Sequence, residues 1–87
     1  DDYKRSSWFF GKLNLEVSHD ILINKKLGSF LVRESSICPG NFVLSVSLEE
    51  KVNHYNINFT SGCFWLEQNF VFQELDSLVE FYKTRSL

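Results

Sequence analysis

Apolar residues recur along this chain with two periods, and the change of period marks the elements. Leu75, Leu78, Val79 and Tyr82 follow an i, i+3, i+4, i+7 spacing, which lines one face of a helix. That spacing predicts a helix over residues 74–84. Residues 14–24 carry a second stripe, Val17, Ile21 and Leu22, behind Asn14 as N-cap. Lys25, Lys26 and Gly28 follow, and cations with a glycine suit a helix C-terminus. Between the two helices the period falls to two, the period of a strand. Residues 29–34, 42–47, 52–59 and 63–66 read as strands. In the second of these Phe42, Leu44 and Val46 share one face, and Val43, Ser45 and Ser47 the other. In the third, Tyr55, Ile57 and Phe59 oppose His54, Asn56 and Asn58. Cys38-Pro39-Gly40-Asn41 and Thr60-Ser61-Gly62 are turn signals, and Leu48-Glu49-Glu50-Lys51 makes a hairpin. Residues 67–71 read as a loop, residues 1–7 as a polar arm, and Trp8-Phe9-Phe10 as an aromatic cluster closed by a turn at Gly11. The order is helix, antiparallel strands, helix. The fold class is therefore α+β, a central antiparallel sheet flanked by two α-helices, one on each face.

Composition narrows the picture. At 87 residues the chain is one small domain with one core. Apolar residues at 44% and aromatics at 16% mark a globular chain rather than a disordered one. A net charge of −2 argues against nucleic-acid or membrane-surface binding, which call for a basic balance. It leaves room for one local basic pocket. Uninterrupted apolar stretches are only a few residues long, so neither a membrane span nor a signal peptide is expected. The expected location is cytoplasmic. Cys38 and Cys63 show no zinc-site spacing, and in that compartment both are expected as free thiols. No glycine-rich nucleotide loop occurs, and no cofactor is expected.

The chemistry concentrates at Phe30-Leu31-Val32-Arg33-Glu34, where a guanidinium interrupts an apolar strand. Arginine is seldom buried without a partner. Glu34 is next in sequence, but neighbours on a strand point to opposite faces, so it is a poor partner. Ser35 shares the face of Arg33, and Ser36 follows. Across the strands that face offers Arg33, Ser35, Ser45, Ser47, His54 and Asn56. One reading is a preorganised oxyanion site, since Arg grips two oxygens at once. The other is a solvated polar face with an arginine that snorkels. Catalysis fits poorly: His54 beside Ser45 lacks an orienting Asp, and no G-x-S-x-G turn is present. Cys38 reads as an ordinary loop cysteine, and His19 as a solvated residue on the polar side of the first helix.

The residues that carry a family likeness are Trp8-Phe9-Phe10-Gly11-Lys12-Leu13, Gly28-Ser29-Phe30-Leu31-Val32-Arg33-Glu34-Ser35, Pro39-Gly40-Asn41-Phe42-Val43-Leu44-Ser45-Val46, His54-Tyr55 and Leu75-Asp76-Ser77-Leu78-Val79-Glu80-Phe81-Tyr82. In order and spacing the chain resembles a Src homology 2 domain of the adaptor or cytoplasmic tyrosine-kinase type. The resemblance implies a non-catalytic module that binds tyrosine-phosphorylated proteins or peptides in signalling. It implies that Arg33 grips the phosphate, that Ser35, Ser36 and the loop amides to Gly40 complete the cradle, and that His54 lines the pocket. Tyr55 is then placed under the residues after the phosphotyrosine, with residues 67–71 as a wall, Glu67 within it and Phe70 as a lid.

The chain departs from the family pattern in three places. Leu15 stands where many members carry an arginine on the first helix, and Asn56 where many carry Lys or Arg after the pocket histidine. Lys12, or Lys4 from the arm, is a candidate replacement cation. The domain, taken as residues 8–87, is expected to lack the final loop and strand. The missing cations motivate a second reading, phosphate-independent protein interaction or scaffolding on the same fold. A third is a regulatory domain excised from a tyrosine kinase.

Overall fold

A computed structural model describes residues 6–38 and 40–83. The chain forms two compact units, Asp1–Asn56 and Ile57–Leu87. Residues 1–5 of the predicted arm, Lys4 among them, Pro39 of the predicted turn and Thr84 of the predicted second helix lie outside the described residues.

In the first unit β1 (Phe9–Leu13) runs parallel to β2 (Phe30–Ser35). Parallel neighbours need a crossover, and α1 (Leu15–Leu22) supplies it. Gly11 was expected to end the aromatic cluster with a turn. It instead carries a positive φ of 73° inside the strand, where the register shifts between Phe9↔Val32 and Lys12↔Glu34. A glycine absorbs such an irregularity without a Cβ clash, so the strand continues to Leu13.

Asn14 caps α1 as predicted: its Oδ1 accepts from the Val17 amide at 2.8 Å. The buried stripe differs from the predicted one. Ser18 and Leu22 are buried, whereas Val17 is exposed. Ser18 can sit inside because its hydroxyl donates to the carbonyls of Asn14 and Leu15, at 3.1 and 2.9 Å, leaving no orphaned polar group. The helix also ends at Leu22 rather than residue 24.

Strand β2 pairs antiparallel with β3 (Phe42–Leu48), with Arg33 opposite Val43 and Leu31 opposite Ser45. Leu31, Val32, Arg33, Val43, Leu44 and Ser45 are all buried, the mark of strands covered on both faces. Glu50, at φ 62°, turns the chain into β4 (Lys51–Thr60).

In the second unit the end of β4 pairs with β5 (Cys63–Glu67) through Phe59↔Phe64. Ser61 and Gly62 both take positive φ, the requirement of a tight hairpin whose twist matches its strands. The predicted loop at 67–71 is instead a turn into a further strand, β6 (Phe70–Phe72), paired with β5. Helix α2 (Leu75–Lys83) buries Leu75, Leu78, Val79 and Tyr82, the four residues its spacing predicts. The Phe81 ring lies 5.0 Å from Phe70 and 5.2 Å from Phe72, which explains why so short a strand holds. Both cysteines are free.

Candidate functional site

Arg33 is 4% exposed. Its Nε donates to Ser45 Oγ at 3.3 Å, and its Nη1 donates to the Leu13 carbonyl at 3.0 Å. The register explains the first contact, because Leu31↔Ser45 pairing puts Ser45 on the face that Arg33 uses. The second contact comes from the end of β1, one residue before the α1 cap. A guanidinium has five N–H donors; described residues engage two, leaving three. No described carboxylate forms an ion pair with Arg33. The only buried side-chain polar atom without a partner among the described residues is Asp76 Oδ1, so Arg33 Nη2, which has no partner there, is not sealed from solvent. Burial pulls the guanidinium below its usual pKa, yet such a group stays cationic. The site is a sunken cation with no counter-ion and with planar donors unused among the described residues. That arrangement suits an anion with several oxygens.

His54 on β4 continues the site. Its Nδ1 lies 2.7 Å from Ser45 Oγ, so Arg33, Ser45 and His54 form one chain of contacts. Burial lowers the His54 pKa, with further contributions from the Arg33 charge and from His19. The histidine therefore stays neutral to lower pH than an ordinary one. His19 is half-buried, 3.7 Å from Asp20. Its side chain remains partly open to solvent, and its charge contributes to the lowering of the His54 pKa.

The loop between β2 and β3 is closed by its own side chains. Ser35 Oγ accepts from the Ile37 and Cys38 amides at 3.2 and 3.1 Å. Glu34 Oε2 accepts from the Gly40 amide at 2.9 Å. The Ser35 amide donates to Asn41 and the Asn41 amide to Cys38. Three of the amides expected to form a cradle are thus occupied within the chain. Ser36, Ile37 and Cys38 stand exposed.

The other expected residues are placed as follows. Leu15 is exposed at the first position of α1, and Asn56 is exposed two residues beyond His54 on β4. Ser47 is buried and donates to the Lys25 carbonyl at 3.5 Å, so it serves the loop after α1 rather than the Arg33 site. Tyr55 accepts at its hydroxyl from Asn53. In the second unit, Glu67 accepts from the Tyr82 hydroxyl at 3.2 Å, and Phe70 packs on Phe81. The Leu13 carbonyl was not anticipated, because a backbone atom leaves no trace in side-chain pattern. Among the described residues no group of His, Cys, Asp and Glu is arranged for a metal, and no helix is long and apolar enough to cross a membrane.

Comparison with known proteins fits this geometry. The SH2 domain family model matches residues 8–82. The solution structure of the VAV1 SH2 domain complexed with a tyrosine-phosphorylated peptide from SLP76 is 30% identical, with a TM-score of 0.87. The alignment covers all of this chain and 63% of that one. The SH2 domain of human proto-oncogene protein VAV1 superposes with a TM-score of 0.89 at 30% identity and the same coverage. The SH2 domain of a Monosiga brevicollis CRK/CRKL homolog is 33% identical with a TM-score of 0.85, over 94% of this chain and 78% of that one. The chain thus spans 63% of the length of the two VAV1 chains it matches. A buried strand arginine, an antiparallel-dominated sheet with two helices, and a family match from Trp8 to Tyr82 lead to one assignment: the chain belongs to the SH2 domain family.

Proposed function

We propose that this SH2 domain is a non-catalytic module that binds tyrosine-phosphorylated peptides in cytoplasmic signalling, with Arg33 gripping the phosphate. The observation that carries the reading is Arg33 itself: 4% exposed, with no described carboxylate partner and three donors unused. Leaving a charge in that state is costly, and a ligand carrying about −1.5 to −2 charge supplies what the described residues do not. The neighbours add donors rather than charge: Ser36 at the loop, Ser35 holding the loop in shape, and His54 beside the arginine. Leu15 and Asn56 add no cation. Each absent charge-assisted bond, being exposed, forgoes about 1.5 kcal/mol, the low end for such bonds, so affinity for the phosphate falls about two decades below that of a relative with both, at about 1.4 kcal/mol per decade.

The decisive experiment is calorimetric titration with matched phosphorylated and unphosphorylated peptides, on the wild type and on Arg33→Lys. Lysine keeps the charge and loses the fork. Phosphate-dependent binding that collapses in the variant is the expected result. Equal binding of both peptides favours the second reading, phosphate-independent interaction, for which the occupied amides of Ile37, Cys38 and Gly40 speak.

A further inference from the structure

Ser45 is fully buried, and its hydroxyl has two partners among the described residues. One is the Nε of Arg33, which can only donate, so Ser45 Oγ accepts there. The hydroxyl hydrogen needs an acceptor of its own, because a buried O–H without one keeps its full desolvation penalty. His54 Nδ1, at 2.7 Å, is the acceptor the described structure offers. The bond runs from Ser45 to His54 when Nδ1 carries no hydrogen. With hydrogen on Nδ1 the direction reverses and the Ser45 hydrogen is stranded. We propose that Ser45 is a positioning residue: it links Arg33 to His54 and fixes the imidazole as its neutral Nε2–H tautomer. The pocket then presents two kinds of donor side by side, the charged fork of Arg33 and a neutral, oriented His54 Nε2–H.

The relay also resists protonation of His54, since adding a proton at Nδ1 breaks the Ser45 donation. The charged surroundings act in the same direction: Arg33 faces His54 from β2 and His19 bears on it from α1. Strand β3 carries no charged residue between Phe42 and Leu48. Burial lowers the His54 pKa further. The role of Nε2–H as a ligand donor rests on the phosphotyrosine reading above, whereas the tautomer is a property of the free protein.

The test has two arms. Long-range nitrogen–proton NMR on the free wild type at pH 7.5 reads the His54 tautomer; an unprotonated Nδ1 and protonated Nε2 are expected. A hydrogen on Nδ1 overturns the proposal whatever the variants do. The second arm compares Ser45→Ala and Ser45→Thr by pH titration of His54 and by affinity for N-acetyl-phosphotyrosine amide. Loss of the hydroxyl is expected to raise the His54 pKa toward its ordinary value and to weaken binding about tenfold; threonine, which keeps a hydroxyl, restores both. A Ser45→Ala protein with unchanged titration and affinity overturns the positioning role. If Ser45→Ala does not fold, the wild-type tautomer and the threonine variant still decide. A wild type that ignores the phosphotyrosine probe sinks the functional reading alone and leaves the tautomer to be read directly.

Discussion

Glu34 and Gly40 stand six residues apart and are joined by a hydrogen bond, 2.9 Å from the Gly40 amide to Glu34 Oε2. Glu34 follows the buried arginine directly, yet its side chain turns to the opposite face and ties down the loop instead. Strand parity requires this separation. A carboxylate that paired with Arg33 would have neutralised the guanidinium from within.

Removing the Glu34 tie has a local cost. In Glu34→Ala the Gly40 amide loses its acceptor and meets water. Because the bond is exposed, the loss is about 1 kcal/mol or less. Faster hydrogen exchange at Gly40, with little change in exchange in the middle of β2 and β3, is the expected pattern. Unaltered exchange at Gly40 would show that the bond does not hold the loop in solution.

Stability and binding should part company at Arg33. An unpaired buried cation is a burden on the fold, and replacing such a group by a hydrocarbon of similar volume is often neutral or stabilising. Arg33→Met is therefore expected to unfold at an equal or higher urea concentration than the wild type, by about 1 kcal/mol at most, given the loss of the Leu13 contact. Phosphopeptide affinity should fall by two decades or more, the loss of at least two charge-assisted bonds. A variant that is clearly destabilised would mean that Arg33 is part of the scaffold rather than held ready for a ligand.

How far these features were legible in the sequence depends on what each rests on. The buried face of α2 follows from side-chain spacing alone, and Leu75, Leu78, Val79 and Tyr82 are all inside. Strand β6 was missed because three residues are too few to show a period; it is fixed by pairing with β5 and by the Phe81 ring. The α1 stripe was right at Leu22 and wrong at Val17, whose expected place inside goes to Ser18, a residue that looks polar until its hydroxyl is seen bonded to its own helix. For the site, parity alone placed Arg33, Ser45 and His54 on one face. The Leu13 carbonyl and the amides taken up by Ser35 and Glu34 were invisible, since backbone partners leave no residue-type signal.

The pH dependence of folding should carry a His54 signature. Its ordinary pKa is 6.5 and folding lowers it. Between the folded value and 6.5 the unfolded chain binds a proton that the folded protein does not, so stability rises with pH in that window. The contribution is complete above 6.5 and is lost as pH falls through the folded value. Urea unfolding midpoints of wild type and His54→Asn, measured from pH 7.5 downward, isolate the effect by difference. The wild type should lose stability faster on acidification, and parallel curves would deny His54 a depressed pKa.

Restoring the missing cations gives the sharpest check on the site. Leu15 is 54% exposed at the start of α1, and Asn56 is exposed on β4 beyond His54, so both positions accept a long side chain without repacking. Asn56→Lys places its ammonium on the face that His54 uses, where the sheet's net dipole is too small to oppose it. Leu15→Arg sets a cation at the positive end of α1, which costs about 0.3–1 kcal/mol of stability. Each change should nevertheless strengthen phosphotyrosine-peptide binding about tenfold, the equivalent of one exposed charge-assisted contact. The gain should shrink as salt is raised, because exposed charges are screened. The two signs together are diagnostic. Leu15→Arg should bind more tightly while unfolding more easily, an outcome that general stabilisation of the fold cannot produce. If neither substitution raises affinity, the phosphate does not lie between α1 and β4 beside Arg33.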